Sequence, residues 1–112
     1  MFNVLSELNK TSGIRGSMLV GSDGIIIAAD LESTLEDETV GALSASIVAN
    51  VGKAMERLNN ESPRQITVEA ENGKLFLTDA GLGILTVVAD KDVNIGLVRL
   101  EIKNALAKIR GQ

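Results

Sequence analysis

The sequence predicts an α+β domain, a five-stranded antiparallel sheet with helices on both faces. Apolar periodicity switches between helical and strand spacing in the order helix, two strands, helix, three strands, helix. Asp23-Gly24 and Asn72-Gly73 separate strand-like runs, and such turns need positive φ angles that Asp, Asn and Gly tolerate. These neighbouring strands are therefore expected as hairpins. A long amphipathic segment in the middle of the chain carries apolar surface that a sheet must cover. With 112 residues and no repeat, low-complexity tract or linker, residues 1–112 read as a single domain.

The elements follow in order. Phe2 to Lys10 reads as a short helix, with Phe2, Leu5 and Leu8 on one stripe and Thr11-Ser12-Gly13 ending it. Ser17–Gly21 and Ile25–Ala29 form the first hairpin, and the run Ile25-Ile26-Ile27 suggests a strand covered on both faces. Ser33 and Glu36 fit a capping box ahead of a helix from Leu35 to about Leu58, with Glu36, Asp37 and Glu38 where the dipole favours negative charge. Asn59-Asn60-Glu61-Ser62-Pro63 closes it. From Gln65 to Glu71, apolar Ile66, Val68 and Ala70 alternate with polar residues, the pattern of a half-exposed strand. Lys74–Ala80 and Ile84–Ala89 complete a meander whose last strand is apolar enough to be central. Asp90 or Asp92 caps the final helix, which buries Ile95, Val98, Ile102, Leu106 and Ile109, gathers Arg99, Lys103 and Arg110 on another side, and ends at Gly111.

The long helix has two apolar stripes where one core requires one. Val40, Leu43, Ile47, Val51, Met55 and Leu58 make a row of large residues, expected to face the sheet. Gly41, Ala45, Ala49 and Gly52 make a row of small ones. A helical glycine costs about 1 kcal/mol relative to alanine, so two on one stripe point to close approach of another backbone. That backbone belongs either to a second chain or to the helix's own sheet. Ser46, Asn50, Lys53 and Arg57 form the polar side, a solvent face or a docking face. Gln65–Glu71 opens the meander and is expected at an edge, where Ile66 and Val68 would join a two-fold pairing.

Composition excludes several chemistries. The chain has no histidine and no cysteine, which removes the usual nucleophile–base pairs, the commonest metal ligand and any disulfide. A net charge of −4 argues against nucleic acid or an anionic membrane as the main partner. Neither Gly21-Ser22-Asp23-Gly24 nor Gly81-Leu82-Gly83 is a phosphate loop: one lacks the Gly-Lys-Ser/Thr ending and the other opens no helix. Asp30, Glu32, Glu36, Asp37 and Glu38 read as helix capping and solvation before a cation site or a docking surface, and Asp90 with Asp92 as a cap before a metal pair. Arg15, Arg57, Arg64, Arg99 and Arg110 read as surface charges before arginine fingers. No catalytic residue, cofactor or metal is expected. Met1-Phe2-Asn3 starts no signal peptide and no apolar run reaches membrane-spanning length, so a cytoplasmic protein without membrane insertion is expected.

Taken together, the opening helix with Gly13-Ile14-Arg15-Gly16-Ser17-Met18-Leu19-Val20, the hairpin Asp23-Gly24-Ile25-Ile26-Ile27-Ala28, the strand Gly83-Ile84-Leu85-Thr86-Val87-Val88-Ala89 and Asn94-Ile95-Gly96-Leu97-Val98-Arg99 resemble the Roadblock/dynein light chain family, in particular its small MglB-like prokaryotic members. The resemblance spans nearly the whole chain. It implies a profilin-like αββαβββα sandwich and a homodimer, with third strands joined and second helices adjacent. It also implies a Ras-like small GTPase as partner, bound by a non-catalytic regulator or scaffold. Carried onto this sequence, the docking surface would include Gly41, Ala45, Ser46, Ala49, Asn50, Lys53 and Arg57, with Gly52 on the same stripe. An adaptor subunit of a motor or receptor complex is the alternative. The sequence stops at Gln112, without the C-terminal extension that some MglB-like regulators use in GTPase contact. A binding or scaffold role is thus better supported than GTPase activation.

Overall fold

The computed structural model describes residues 1–111. Eight elements follow one another: α1 (Phe2–Leu8), β1 (Ile14–Val20), β2 (Ile26–Leu31), α2 (Asp37–Asn59), β3 (Gln65–Ala70), β4 (Gly73–Asp79), β5 (Ile84–Asp90) and α3 (Ile95–Arg110). The strands form one antiparallel sheet in the order β2-β1-β5-β4-β3, the profilin-like αββαβββα sandwich. The central place of β5 follows from its composition, since five of its seven residues are buried.

Each face of the sheet has its own aliphatic core. Leu19, Phe76, Leu85 and Val87 meet Leu5 and Leu8 of α1 and Val98, Ile102 and Ile109 of α3. On the other face Met18, Val20, Leu77 and Ile84 are covered by Val40, Ile47 and Val48 of α2. The period of two along each strand sends alternate residues to the two cores. Ser17, fully buried, donates to Asn9 Oδ1 at 2.7 Å, and Asn9 in turn donates to Asp30, pinning the end of α1 to the first hairpin.

Three local expectations need correction. Ser33 does not cap α2: the N-cap is Glu36, without a side-chain cap bond, and its carboxylate accepts from Thr39 Oγ1 at 2.7 Å instead. Neither Asp90 nor Asp92 caps α3. Asn94 does so, its Oδ1 accepting from the Leu97 N–H at 3.0 Å. Asn94→Ala is expected to cost about 1 kcal/mol, read as a lower urea midpoint with an unchanged slope. Finally, β2 is an edge strand and not a doubly covered one, with Ile27 47% exposed and Ile25, just ahead of the strand, 67%. Between Leu19 and Val20 the register skips Ile27, a bulge that interrupts that edge. A second irregularity lies at Arg15, where Gly16 follows: a Cβ on Gly16 would sit 2.6 Å from Leu31 Cα, so β1 and β2 approach too closely there for a side chain.

Candidate functional site

The long helix was expected to seat its large residues on the sheet and offer its small ones elsewhere. The structure divides both rows: Val40 and Ile47 reach the sheet with Gly41, while Leu43, Leu58 and Ala49 stay exposed. The only buried residues of α2 are Gly41 and Ser44. A Cβ at Gly41 would stand 3.3 Å from Ile26 Cγ1 and 3.5 Å from Val20 Cγ2, so the close approach this glycine permits is to its own sheet. Gly41 therefore serves internal packing, against the expectation that it forms part of a surface for another chain. Ala45 faces the β1–β2 turn, 3.9 Å from a Cβ built on Gly24. Gly52 has open space around it, beside a cleft of about 330 Å³ shared with Val48, Pro63 and Leu77.

Ser44 was missed from sequence. It lies under the helix, where Thr86 Oγ1 donates to its Oγ at 2.9 Å and Ser44 Oγ donates to the Val40 carbonyl at 2.7 Å. The pair fastens α2 to the central strand without leaving either hydroxyl unpaired. A serine amid apolar neighbours, able to bond back to the fourth preceding carbonyl, was the available signal.

Tilting α2 toward Gly41 and Ser44 lifts the large row partly off the sheet. Leu43 is 55% and Leu58 78% exposed, while Val40, Ile47, Val51 and Met55 are half-buried. Their seating wholly on the domain's own sheet is thus also corrected. This flank lies on the β3 side, because Val51 and Met55 share a cleft with Pro63, Gln65 and Ile66. On the same sheet face Val68 is 40% exposed, next to Leu75 in the β3–β4 register. β3 pairs with β4 without a bulge, and its outer edge is unpaired. Ala49, Ser46, Asn50, Lys53 and Arg57 are all exposed. At 100° per residue the last four fall roughly opposite the buried Gly41–Ser44 line. The structure therefore brings Ile66 beside the large row, with Val68 further along the same sheet face.

The acidic group before α2 is dispersed by its own bonds. Glu32 accepts from Arg15 at 2.9 and 2.5 Å and from Thr34 at 2.7 Å. The hydrogen bond from Arg15 holds the Glu32 carboxyl below its ordinary pKa and raises that of Arg15. Asp30 accepts from Asn9, and Glu36 from Thr39. Among the described residues no three acidic side chains gather as a metal site, and no helix is long and apolar enough to cross a membrane.

Element order, sheet topology and a long helix with one open flank define a profilin-like sandwich. The chain belongs to the Roadblock/LC7 domain family, whose model matches residues 3–89. It is 42% identical over 107 residues to an uncharacterized protein of Methanocaldococcus jannaschii, covering 96% of this chain and 94% of that one. It is also 32% identical over 108 residues to the Ragulator complex protein LAMTOR2 homolog of Caenorhabditis elegans, covering 96% of this chain and 84% of the relative. Among solved structures Myxococcus xanthus MglB superposes with a TM-score of 0.89 at 24% identity, over 96% of this chain and 83% of that one, so the two share a fold.

Proposed function

We propose that this protein is a non-catalytic, cytoplasmic homodimer that regulates or scaffolds a Ras-like small GTPase. The observation that carries the dimer is the open apolar flank of α2, continuous with the regular, unpaired edge of β3. Two such edges related by a two-fold axis would pair as antiparallel strands and bring Leu43, Ile47 and Val68 of each copy together. β2 is the poorer edge because its bulge at Ile27 breaks the ladder. In this arrangement the outward side of α2, with Ser46, Ala49, Asn50, Lys53 and Arg57, stays open for the GTPase. Family membership and the resemblance to MglB-like proteins support that partner. The absence of histidine and cysteine supports a role without catalysis.

A candidate Ras-like GTPase is expected to be retained by the immobilised dimer in one nucleotide state and not in the other. Ala49→Arg should weaken that retention by about tenfold or more, the cost of placing an unmatched charge in a docking surface, while the dimer persists by gel filtration. Retention unchanged by the substitution would remove α2's outer side from the interface. A second reading, an adaptor subunit in a larger assembly, is favoured by the similarity to a Ragulator complex protein. Equal capture of the GDP form and a GTP-analogue form would decide for it.

A further inference from the structure

The dimer and the GTPase surface leave one cluster of charge unused, on the opposite face of the sheet. A cleft of about 610 Å³ lies between α3 and the start of β3 with the end of β4. Arg64, Arg99, Lys103 and Arg110 all line it. These are four of the chain's eleven basic residues, in a protein of net charge −4. None of them is in an ion pair among the described residues. Spacings of four and seven put Arg99, Lys103 and Arg110 on one stripe of α3 with Leu106. Like charges at i and i+4 repel, so this row works against the helix unless something negative meets it.

Four details make the cleft more than a solvated basic face. Asp79 N–H donates to the Arg64 carbonyl at 2.9 Å, which holds Arg64 beside the end of β4. Asp79 is the single acidic residue lining the cleft, and its Oδ1 is engaged by the Gly81 N–H at 2.9 Å. Thr78, only 8% exposed, also lines the cleft, on the sheet face that carries Phe76 and Leu85 toward α3. Its Oγ1 is the one buried side-chain oxygen or nitrogen among the described residues without a hydrogen-bond partner. A buried hydroxyl without a partner is costly to the fold and calls for an explanation. Arg99 is steered over the strand by a bond from its Nη2 to Thr67 Oγ1 at 3.3 Å.

We infer that this cleft is a binding site for a soluble ligand carrying two or more linked phosphates. Guanidinium forks match phosphate oxygens two at a time, and the Thr78 hydroxyl, covered in this structure, becomes a further donor when the side chains over it part for the ligand. The apolar floor of Ile102 and Leu106 suits a ligand with an organic part beyond its phosphates. The recess favours a small anion over a flat surface such as a bilayer.

Inorganic pyrophosphate titrated into the full chain should give saturable binding by calorimetry and shift the backbone amide resonances of residues 64, 78, 99 and 103. Lys103→Gln with Arg110→Gln should weaken binding by about tenfold or more. Thr78→Val, which keeps the shape and removes the hydroxyl, should weaken it several-fold while the protein stays folded. Lys108→Gln, on the same helix but outside the cleft, should leave affinity unchanged. Equal weakening by Lys108→Gln, or no effect of either cleft variant, would mean diffuse attraction and overturn the site. So would an absence of pyrophosphate binding, and sedimentation on phosphatidylglycerol vesicles would then make the patch a membrane-facing surface.

Discussion

Val68→Asp is expected to leave the protein folded and make it monomeric. Val68 is already 40% exposed in the single chain, so its loss removes little from the core. In a dimer joined at β3 the two copies of this residue lie near the axis, and each would bring a carboxylate into a surface otherwise built from Ile66, Leu43 and Ile47. Taking an unpaired charge out of water costs several kcal/mol, and symmetry imposes that cost twice. An interface residue of this kind is worth at least about 2 kcal/mol, roughly a thirtyfold change in dissociation constant. Sedimentation should show the mass falling from twice 11.8 kDa to 11.8 kDa at micromolar concentration. Circular dichroism should be unchanged. Leu43→Arg should act in the same way from the helix side. If both variants remain dimeric, the chains associate elsewhere.

The second large effect is expected beneath the helix. Ser44→Val should destabilise the domain by about 2–6 kcal/mol, adding an overpacked side chain to an orphaned hydroxyl. Ser44 is fully buried, and the Thr86 hydroxyl beneath it would lose its acceptor. Thr86→Val joined to Ser44→Ala should cost clearly less than the sum of the two single substitutions, because no hydroxyl is then left alone. Urea denaturation at one fixed protein concentration measures both, since stability coupled to dimerisation depends on concentration. Additive costs would show that the bond does not fasten α2.

Much of the fold was legible in advance because it is written in short-range patterns. The alternation from Gln65 to Glu71 is β3, the apolar stretch Ile84–Ala89, broken only by Thr86, is the central strand, and the Asp-Gly and Asn-Gly turns mark two hairpins. The helix C-terminus at Asn60, left-handed at φ 59° and ψ 38°, was likewise visible as a polar cluster ending in proline. Caps were less legible. Ser33 and Asp92 have suitable side chains, but the chain enters each helix a few residues later, at Glu36 and Asn94.

That α2 has one apolar stripe too many is readable along the chain, because a period near 3.6 is a local property. The period alone could not assign the stripes. Large and small residues satisfy the same period, and the choice depends on how near the helix axis can come to a particular strand. It is packing across the sheet that sets Gly41 and Ser44 down on β1, β2 and β5, leaving Leu43 and Leu58 open. The basic cleft is of the same kind. Arg64 and Asp79 stand far along the chain from Lys103 and Arg110, and no pattern in the sequence joins them. The sheet does so by laying the start of β3 and the end of β4 under α3, so that charges repelled by one another in the folded domain await a common counter-charge.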